Sequence, residues 1–362
     1  MNKSDFIFML IRSALWQIST EQYKMTPWEY KEVITFAEKQ CVIGLVIDSL
    51  RSNNIELQKK CVIHMLKLHN SLQIENRHIN ESVVQLVRLL EQHNIQYMVV
   101  KGQTLGAHYP KPLLRVPGDI DFYVIPRDRE RTMELLTSEW KIDDFDFNSD
   151  GKEIALKHEG TTFELHNALL MFESKKNASY FNELVEKSEK VTVKVGECET
   201  KTLEPTLNVF YTFGHLFHHF RSEGVAIRQL CDLALLLHKH HDVLDKVRLA
   251  KMLDNLGYTR AFASFGSILI DKLGLPEEEF PMKITEKDRR MAQKVLKVIL
   301  EGGNWGEYGR KGFEKKGLSH ALETGWIRIS HYVSFFRLSP KENFMMLTRE
   351  VPRRVMKLVK RL

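Results

Sequence analysis

The chain has 362 residues, 43% of them hydrophobic and 28% charged, a composition typical of a soluble globular protein. This length exceeds what one hydrophobic core usually serves, so we expect more than one subdomain. The net charge of +6 suits an anionic substrate but is too small to predict nucleic-acid binding. The four cysteines lack CxxC spacing, which predicts neither a disulfide framework nor a zinc ribbon.

No stretch of the sequence reaches the roughly 20 apolar residues that a membrane-spanning helix needs. The apolar run near the N-terminus is broken by Arg12, and no small-residue cleavage site follows it. We therefore expect a cytoplasmic protein without a transmembrane segment.

Residues 1–90 are predicted to be helical. Thr26 and Pro27 have the pattern of a helix N-cap followed by proline at the first helical position. Apolar residues at helical spacing predict a long helix over 66–91 that ends near Asn94.

The pattern changes at Ile95. Residues 95–101 are rich in β-branched side chains and end at Gly102, which predicts a strand followed by a turn. A loop rich in Pro and Gly leads to a second predicted strand over 119–125. The next predicted elements are a helix over 127–140, a strand over 161–166 and a hairpin over 191–203.

From Pro205 onward the sequence is predicted to be helical, with the clearest spacing over 208–220, 227–241, 247–256 and 287–301. The last residues, 340–362, form a basic amphipathic segment with Arg353, Arg354, Lys357, Lys360 and Arg361. We expect its apolar side to pack on the helical half, and contact with an anionic membrane is the alternative. The predicted division is a helical region over 1–90, a core over 91–204 and a helical domain over 205–362.

Two carboxylates lie two residues apart at the start of the second predicted strand. Asp119 and Asp121 share one face because successive side chains of a strand alternate. Like charges that close repel unless a cation or a proton lies between them. Glu164 lies on the third predicted strand, with His166 on the same face. Three carboxylates on neighbouring strands can hold one or two Mg²⁺ ions that bridge a triphosphate.

The order of these motifs resembles the motif order of a known superfamily. The strings that carry the resemblance are Lys101-Gly102, Tyr109-Pro110, Arg115, Gly118-Asp119-Ile120-Asp121, Glu164-Leu165-His166 and the later pair Arg228 and Asp232. Together they resemble the polymerase-β-like nucleotidyltransferases, and within them a family of uncharacterised bacterial members, over roughly residues 95–237. Gln103 stands where the superfamily usually has a small hydroxyl residue. The resemblance implies an α+β fold with a small mixed β-sheet core flanked by N-terminal and C-terminal helical regions.

The resemblance also implies roles for these residues. Asp119, Asp121 and Glu164 would be catalytic metal ligands, with Glu164 holding a second ion or helping to deprotonate an acceptor hydroxyl. The residues implied to contact the nucleotide are Lys101, Gly102, Arg115, His166, Arg228 and Asp232. A glycine lets the backbone approach a phosphate, and a guanidinium suits bidentate phosphate binding.

Some of these residues also fit simpler interpretations. Arg228 and Asp232 have the spacing of an ion pair on a helix surface. His166 also fits a hydrogen bond to a carboxylate instead of a metal bond. His215, His218 and His219 share a predicted helix, but the usual zinc string with Glu after the first His is absent, which favours packing or substrate contact.

The implied reaction transfers a nucleoside monophosphate from an NTP, with ATP the expected donor, to a hydroxyl of a small molecule, sugar or protein, and releases pyrophosphate. One alternative is a regulator that nucleotidylates a partner protein in a toxin–antitoxin or defence system. Another is a protein that binds a nucleotide or a partner without turnover. Nucleic-acid polymerisation is disfavoured because no basic stripe with interleaved aromatic residues flanks the site.

Overall fold

The computed structural model describes residues 3–53, 55–142, 144–147, 151, 153–222, 224–303 and 329–350. The chain forms two compact units: Met1–Leu169 with Leu184–Asn208, and Leu170–Glu183 with Val209–Leu362. The predicted three-part division stays a prediction. The five basic residues of the tail lie outside the described residues.

The N-terminal part of the first unit is helical, as predicted. Its elements are α1 (Lys3–Trp16), β1 (Tyr23–Lys24), α2 (Pro27–Lys39), α3 (Ile43–Ser52), β2 (Ile55–Glu56) and α4 (Lys59–Gln92). The predicted N-cap of α2 is confirmed: the Thr26 hydroxyl accepts a hydrogen bond from the Glu29 N–H, and the Glu29 carboxylate accepts one from the Thr26 N–H. β1 and β2 form a short parallel pair.

The core of the first unit is a five-stranded mixed sheet. The elements that follow α4 are β3 (Tyr97–Val100), α5 (Gly102–Gly106), β4 (Ile120–Val124), α6 (Arg129–Trp140), β5 (Asp146–Phe147), β6 (Glu153–His158), β7 (Thr161–His166), α7 (Lys175–Lys187), β8 (Lys190–Val195) and β9 (Cys198–Leu203). The strand order is β3-β4-β7-β6-β5, in which β4 and β7 are parallel and the other pairs are antiparallel. β8 and β9 form a separate hairpin, as predicted. The predicted α+β fold with a small mixed sheet is confirmed.

The two faces of this sheet differ in chemistry. Side chains that alternate inward along the central strands, such as Phe122, Phe163 and Leu165, belong to a buried apolar cluster. The same cluster contains apolar residues of α4 and α6, among them Leu86 and Leu136. The opposite face carries the polar side chains, because the side-chain period of a strand is two residues. The sheet therefore holds its polar residues on a backbone fixed by packing on the other side.

The described part of the C-terminal half is helical, as predicted. Its elements are α8 (Pro205–Ser222), α9 (Ile227–His240), α10 (Lys246–Leu256), α11 (Thr259–Asp271), α12 (Glu286–Gly302) and α13 (Pro340–Met345). The prediction missed α11, in which Ala261 to Leu269 are all buried, so its sequence lacks the polar face that marks an amphipathic helix. None of the described helices combines the length and apolar character that crossing a bilayer requires.

Candidate active site

Strand register brings three potential metal ligands together on the polar face of the sheet. In the parallel pair of β4 and β7, Asp121 lies opposite Glu164 and Tyr123 lies opposite His166. Neighbouring strands are about 4.8 Å apart, so side chains in register on one face are in reach of each other. One ligand atom from each of Asp121, Glu164 and His166 lies within 4.8 Å of the others. Among the described residues, no other group of three or more His, Cys, Asp or Glu side chains meets this condition.

Asp121 is the most strongly bonded member of this group. Its Oδ1 lies 2.6 Å from Lys101 Nζ and 2.7 Å from His166 Nε2, which donates a hydrogen bond to it. The side chains of Lys101 and Asp121 are only 11% and 10% exposed. Burial alone would raise the pKa of Asp121, but the Lys101 ammonium and the His166 hydrogen bond outweigh it and hold that pKa well below its usual range.

Glu164 has the opposite electrostatic character. Burial, followed by repulsion from the Asp121 carboxylate, raises the pKa of Glu164 to about 8. At neutral pH Asp121 is therefore ionised, while Glu164 keeps its proton in most molecules. Pairs of carboxyl groups whose environments separate their pKa values in this way are typical of catalytic and metal-binding sites.

The donor set fits a divalent cation. Mg²⁺ and Mn²⁺ take carboxylate oxygens, and Mn²⁺ also takes imidazole nitrogen. The three ligand atoms are close enough together to share one ion. A cation here would also favour loss of the proton that Glu164 otherwise keeps. Asp121, Glu164 and His166 are the residues that would hold it.

The turn that carries Lys101 is conformationally strained. Lys101 has φ +55° and ψ −146°, and Gly102 follows with φ +39°. A Cβ at Gly102 would lie 3.3 Å from the Asp119 carbonyl oxygen, so this turn packs closely on the residue before β4. A lysine at positive φ costs about 1–3 kcal/mol, and such strain is concentrated at functional sites. The Lys101–Asp121 contact makes this turn part of the site.

Asp119 and Arg115 lie beside this group but do not belong to it. Asp119 is exposed, one residue before β4. Arg115 is buried, and its side chain lies so close to Gly106 of α5 that a Cβ there would be 3.3 Å from Arg115 Cδ. The buried Asn76 side chain donates a 2.9 Å hydrogen bond to the Arg115 carbonyl, which fixes this loop to α4. The roles predicted for Asp119 and Arg115 stay predictions.

The other predicted residues lie in the C-terminal half. Arg228 and Asp232 are in α9, and Asp232 is buried. His215, His218 and His219 are in α8, where His218 Nε2 is hydrogen-bonded to the Tyr258 hydroxyl at 2.6 Å. These residues belong to the second unit, and their predicted roles stay predictions.

The sequence analysis missed one residue of the site, Glu153. In the antiparallel pair of β6 and β7, Glu153 lies opposite His166, and its Oε2 is 3.4 Å from His166 Nδ1. The signal in the sequence is weak: the larger apolar residues Ile154 and Leu156 lie two apart between Glu153 and Lys157, but the residue that separates them is Ala155 and not a polar one.

We expect Lys101→Met to destabilise the protein by about 3 kcal/mol, because it leaves the buried Asp121 charge without its ammonium partner. His166 still contacts Asp121, which keeps the loss at the lower end of the range for broken buried pairs. The measurement is urea unfolding of both proteins. Lys24→Met is the control: it breaks an ion pair with Glu56 whose side chains are 78% and 61% exposed, and should change stability by less than about 1 kcal/mol. Equal losses in the two variants would contradict the structural importance of the Lys101–Asp121 pair.

One of the comparisons with known proteins shows the family to which the chain belongs. Of the solved structures, one that is similar is an antigenic nucleotidyltransferase-like protein from Paracoccidioides brasiliensis, with 15% identity, coverage of 54% of this chain and 92% of that chain, and a TM-score of 0.34. No curated protein matches the chain. A family model described as "Uncharacterised nucleotidyltransferase" matches residues 26–269, well over half of the sequence and all of the residues described above as the site. The carboxylates of β4 and β7 thus lie inside the matched region, and the chain belongs to this family of uncharacterised nucleotidyltransferases.

Proposed function

We propose that this protein is a divalent-cation-dependent enzyme of polymerase-β-like type. It transfers a nucleoside monophosphate from an NTP, with ATP the expected donor and Mg²⁺ the expected ion, to a hydroxyl group in the cytoplasm. The observation that carries the proposal is the group of Asp121, Glu164 and His166 on one face of the sheet, with the Lys101 ammonium against Asp121. The membership in a nucleotidyltransferase family supports it.

In this reaction an acceptor oxygen attacks the α-phosphorus, the bond between that phosphorus and the β-phosphate oxygen breaks, and pyrophosphate leaves. A bound cation would neutralise charge on the triphosphate and the leaving group. Asp121, held ionised by Lys101 and His166, would hold the cation. Glu164 would complete the ligand set or, once ionised, take the proton of the acceptor hydroxyl. Asp119 is proposed as a further carboxylate facing the nucleotide.

Positioning and charge account for most of the catalysis in such a reaction. Lys101 contacts Asp121 from a turn whose next residue, Gly102, has no side chain to obstruct a phosphate. Arg115 is proposed as a further contact to the nucleotide, while the roles of Arg228 and Asp232 stay predictions. The acceptor is a hydroxyl-bearing small molecule, sugar or protein.

The test is a thermal-shift titration with each of the four NTPs, with and without Mg²⁺. Ligand at about a hundred times its dissociation constant adds roughly 2.7 kcal/mol to the stability of the folded protein. We expect ATP to raise the melting temperature in a Mg²⁺-dependent way. The NTP that binds is then used, α-labelled, to find the acceptor in cell extract.

The control is the double variant Asp119→Asn/Asp121→Asn, which should lose the Mg²⁺-dependent part of the shift. A wild-type protein that responds to no NTP and to no divalent cation would overturn the proposal. A different result is that NTP raises the melting temperature equally with and without the cation, in the double variant as in the wild type. That result would favour nucleotide binding without turnover.

A further inference from the structure

The carboxylates of this site do not act alone, because a fully buried histidine lies among them. His166 is the last residue of β7, and none of its side chain is exposed. Its Nε2 lies 2.7 Å from Asp121 Oδ1 and 3.8 Å from Glu164 Oε2. Ligand atoms about 2.1 Å from one metal ion are roughly 3 Å apart when adjacent and roughly 4 Å apart when opposite. The nitrogen is therefore at ligand distance from both carboxylates.

The other ring nitrogen of His166 faces a third carboxylate. His166 Nδ1 lies 3.4 Å from Glu153 Oε2, and both side chains project from the same face of the sheet because the two residues are paired across β6 and β7. Histidines that bind metals usually donate the proton of their second nitrogen to a carboxylate or carbonyl, which fixes the tautomer and the ring orientation. Glu153 stands where such a carboxylate is needed.

We propose that His166 is a nitrogen ligand of the catalytic cation and that Glu153 is its positioning residue. In the metal-free protein Nε2 carries the proton that it donates to Asp121. When the cation binds, that proton moves to Nδ1, where Glu153 accepts a hydrogen bond from it and so directs the Nε2 lone pair at the ion. The site therefore binds Mn²⁺ in preference to the Mg²⁺ expected from the sequence. Mg²⁺ is bound mainly by oxygen and keeps several waters, whereas Mn²⁺ accepts imidazole and carboxylate together. This inference rests on the proposed function for the presence of a cation, and it adds the ligand set and the identity of the ion.

A site with a nitrogen ligand responds differently to the two cations when the imidazole is removed, whereas a site made only of carboxylates does not. Loss of the imidazole should weaken Mn²⁺ binding by tenfold or more, while Mg²⁺ binding, which depends on Asp121 and Glu164, changes by less than about threefold. Replacement of Glu153 should weaken Mn²⁺ binding by about tenfold without removing the nitrogen from the ion.

The experiment uses the full chain with Mn²⁺ alone, without nucleotide. Electron spin-echo spectroscopy of bound Mn²⁺ should show coupling to a ¹⁴N nucleus, and incorporation of ¹⁵N-histidine should convert this coupling to that of ¹⁵N. Calorimetry with Mn²⁺ and with Mg²⁺ is then compared across the wild type, His166→Gln and Glu153→Gln. We expect the nitrogen coupling to vanish in His166→Gln and to remain in Glu153→Gln.

The matched control is His158→Gln. His158 lies on the neighbouring strand β6 but on the opposite face, where its ring stacks on Trp140 at 4.3 Å. This change should leave both the coupling and the two affinities unaltered. If His166→Gln fails to fold, the wild-type ¹⁴N and ¹⁵N spectra together with Glu153→Gln still decide the question.

Different results would contradict the nitrogen ligand and the proposed nucleotidyl transfer. Mn²⁺ binding without nitrogen coupling, or equal effects of His166→Gln on Mn²⁺ and Mg²⁺ affinity, would overturn the nitrogen ligand and leave a carboxylate-only transferase site intact. Nitrogen coupling without any nucleotide binding or transfer would support the metal site and refute the proposed function. Failure of the wild type to bind either cation, with or without NTP, would refute both.

Discussion

Asp121→Asn is expected to lower nucleotidyl transfer by about 10³-fold or more, because it removes the ionised oxygen on which Lys101 and His166 both converge. The substitution keeps the size of the side chain and removes only its charge. The Mg²⁺-dependent part of NTP binding should be lost with the activity. The measurements are transfer of label from an α-labelled NTP and the NTP dissociation constant with and without Mg²⁺.

The same substitution should also weaken the fold. Without the Asp121 charge, the buried Lys101 ammonium has lost its partner, and breaking a buried pair costs about 3 kcal/mol. Transfer must therefore be measured below the unfolding transition of the variant, with near-ultraviolet circular dichroism as the check on folding.

Asp146→Asn is the matched control for Asp121→Asn, since Asp146 lies exposed on β5 of the same sheet. It should leave both transfer and stability unchanged. Wild-type activity in a folded Asp121→Asn protein would remove Asp121 from the catalytic machinery. Equal losses in the two variants would show that the assay reports general damage to the sheet.

Glu164→Gln is expected to separate catalysis from stability. Transfer should fall by about 10²-fold or more, because the amide cannot serve as an anionic ligand or take a proton. Stability at neutral pH should be equal to or greater than that of the wild type, because most Glu164 side chains already carry a proton there. Urea unfolding and label transfer on the same preparations measure both effects.

The difference in stability between the wild type and Glu164→Gln should depend on pH because the pKa of Glu164 is raised. A carboxyl group that holds its proton more tightly in the folded state contributes stability in full below its unfolded pKa of about 4.5, and loses this contribution as the pH rises through about 8. Relative to Glu164→Gln, the wild type should therefore lose roughly 2–4 kcal/mol between pH 4.5 and 8. Asp121 does not interfere, because its pKa is lowered and its contribution disappears only as the pH falls below about 4.

If the stability difference between wild type and Glu164→Gln does not change between pH 4.5 and 8, the raised pKa of Glu164 is contradicted. Full activity of Glu164→Gln would contradict a role for this residue in transfer. Added divalent cation should reduce the pH dependence of wild-type stability, because a bound cation stabilises the ionised carboxylate. The Gln variant should not show this effect.

Strand alternation was sufficient to predict part of the site. Because side chains two residues apart share a face, the sequence alone placed Asp121 on one polar strand face and Glu164 with His166 on another. The apolar positions between them, such as Phe122 and Leu165, pack on the opposite face. The strands after Ile95 and the helical C-terminal half followed from the change of period near Ile95 and again near Pro205, whereas the α+β fold was implied by the family resemblance.

The partners of these strands were decided only by the tertiary structure. A period of two specifies a face but carries no information about register or about which strand lies alongside. The parallel pairing of Asp121 with Glu164, and the antiparallel pairing that brings Glu153 to His166, depend on how β4, β7 and β6 pack over the apolar cluster.

The electrostatic character of the site was likewise set by packing. Asp121 and Glu164 are both acidic in the sequence, yet one pKa falls and the other rises, because only Asp121 receives the Lys101 ammonium and the His166 hydrogen bond. The sequence by itself identified Asp121, Glu164 and His166 as members of one group, but not Glu153. Their distances, burial and charge states arise from long-range contacts, and local residue patterns do not encode those contacts.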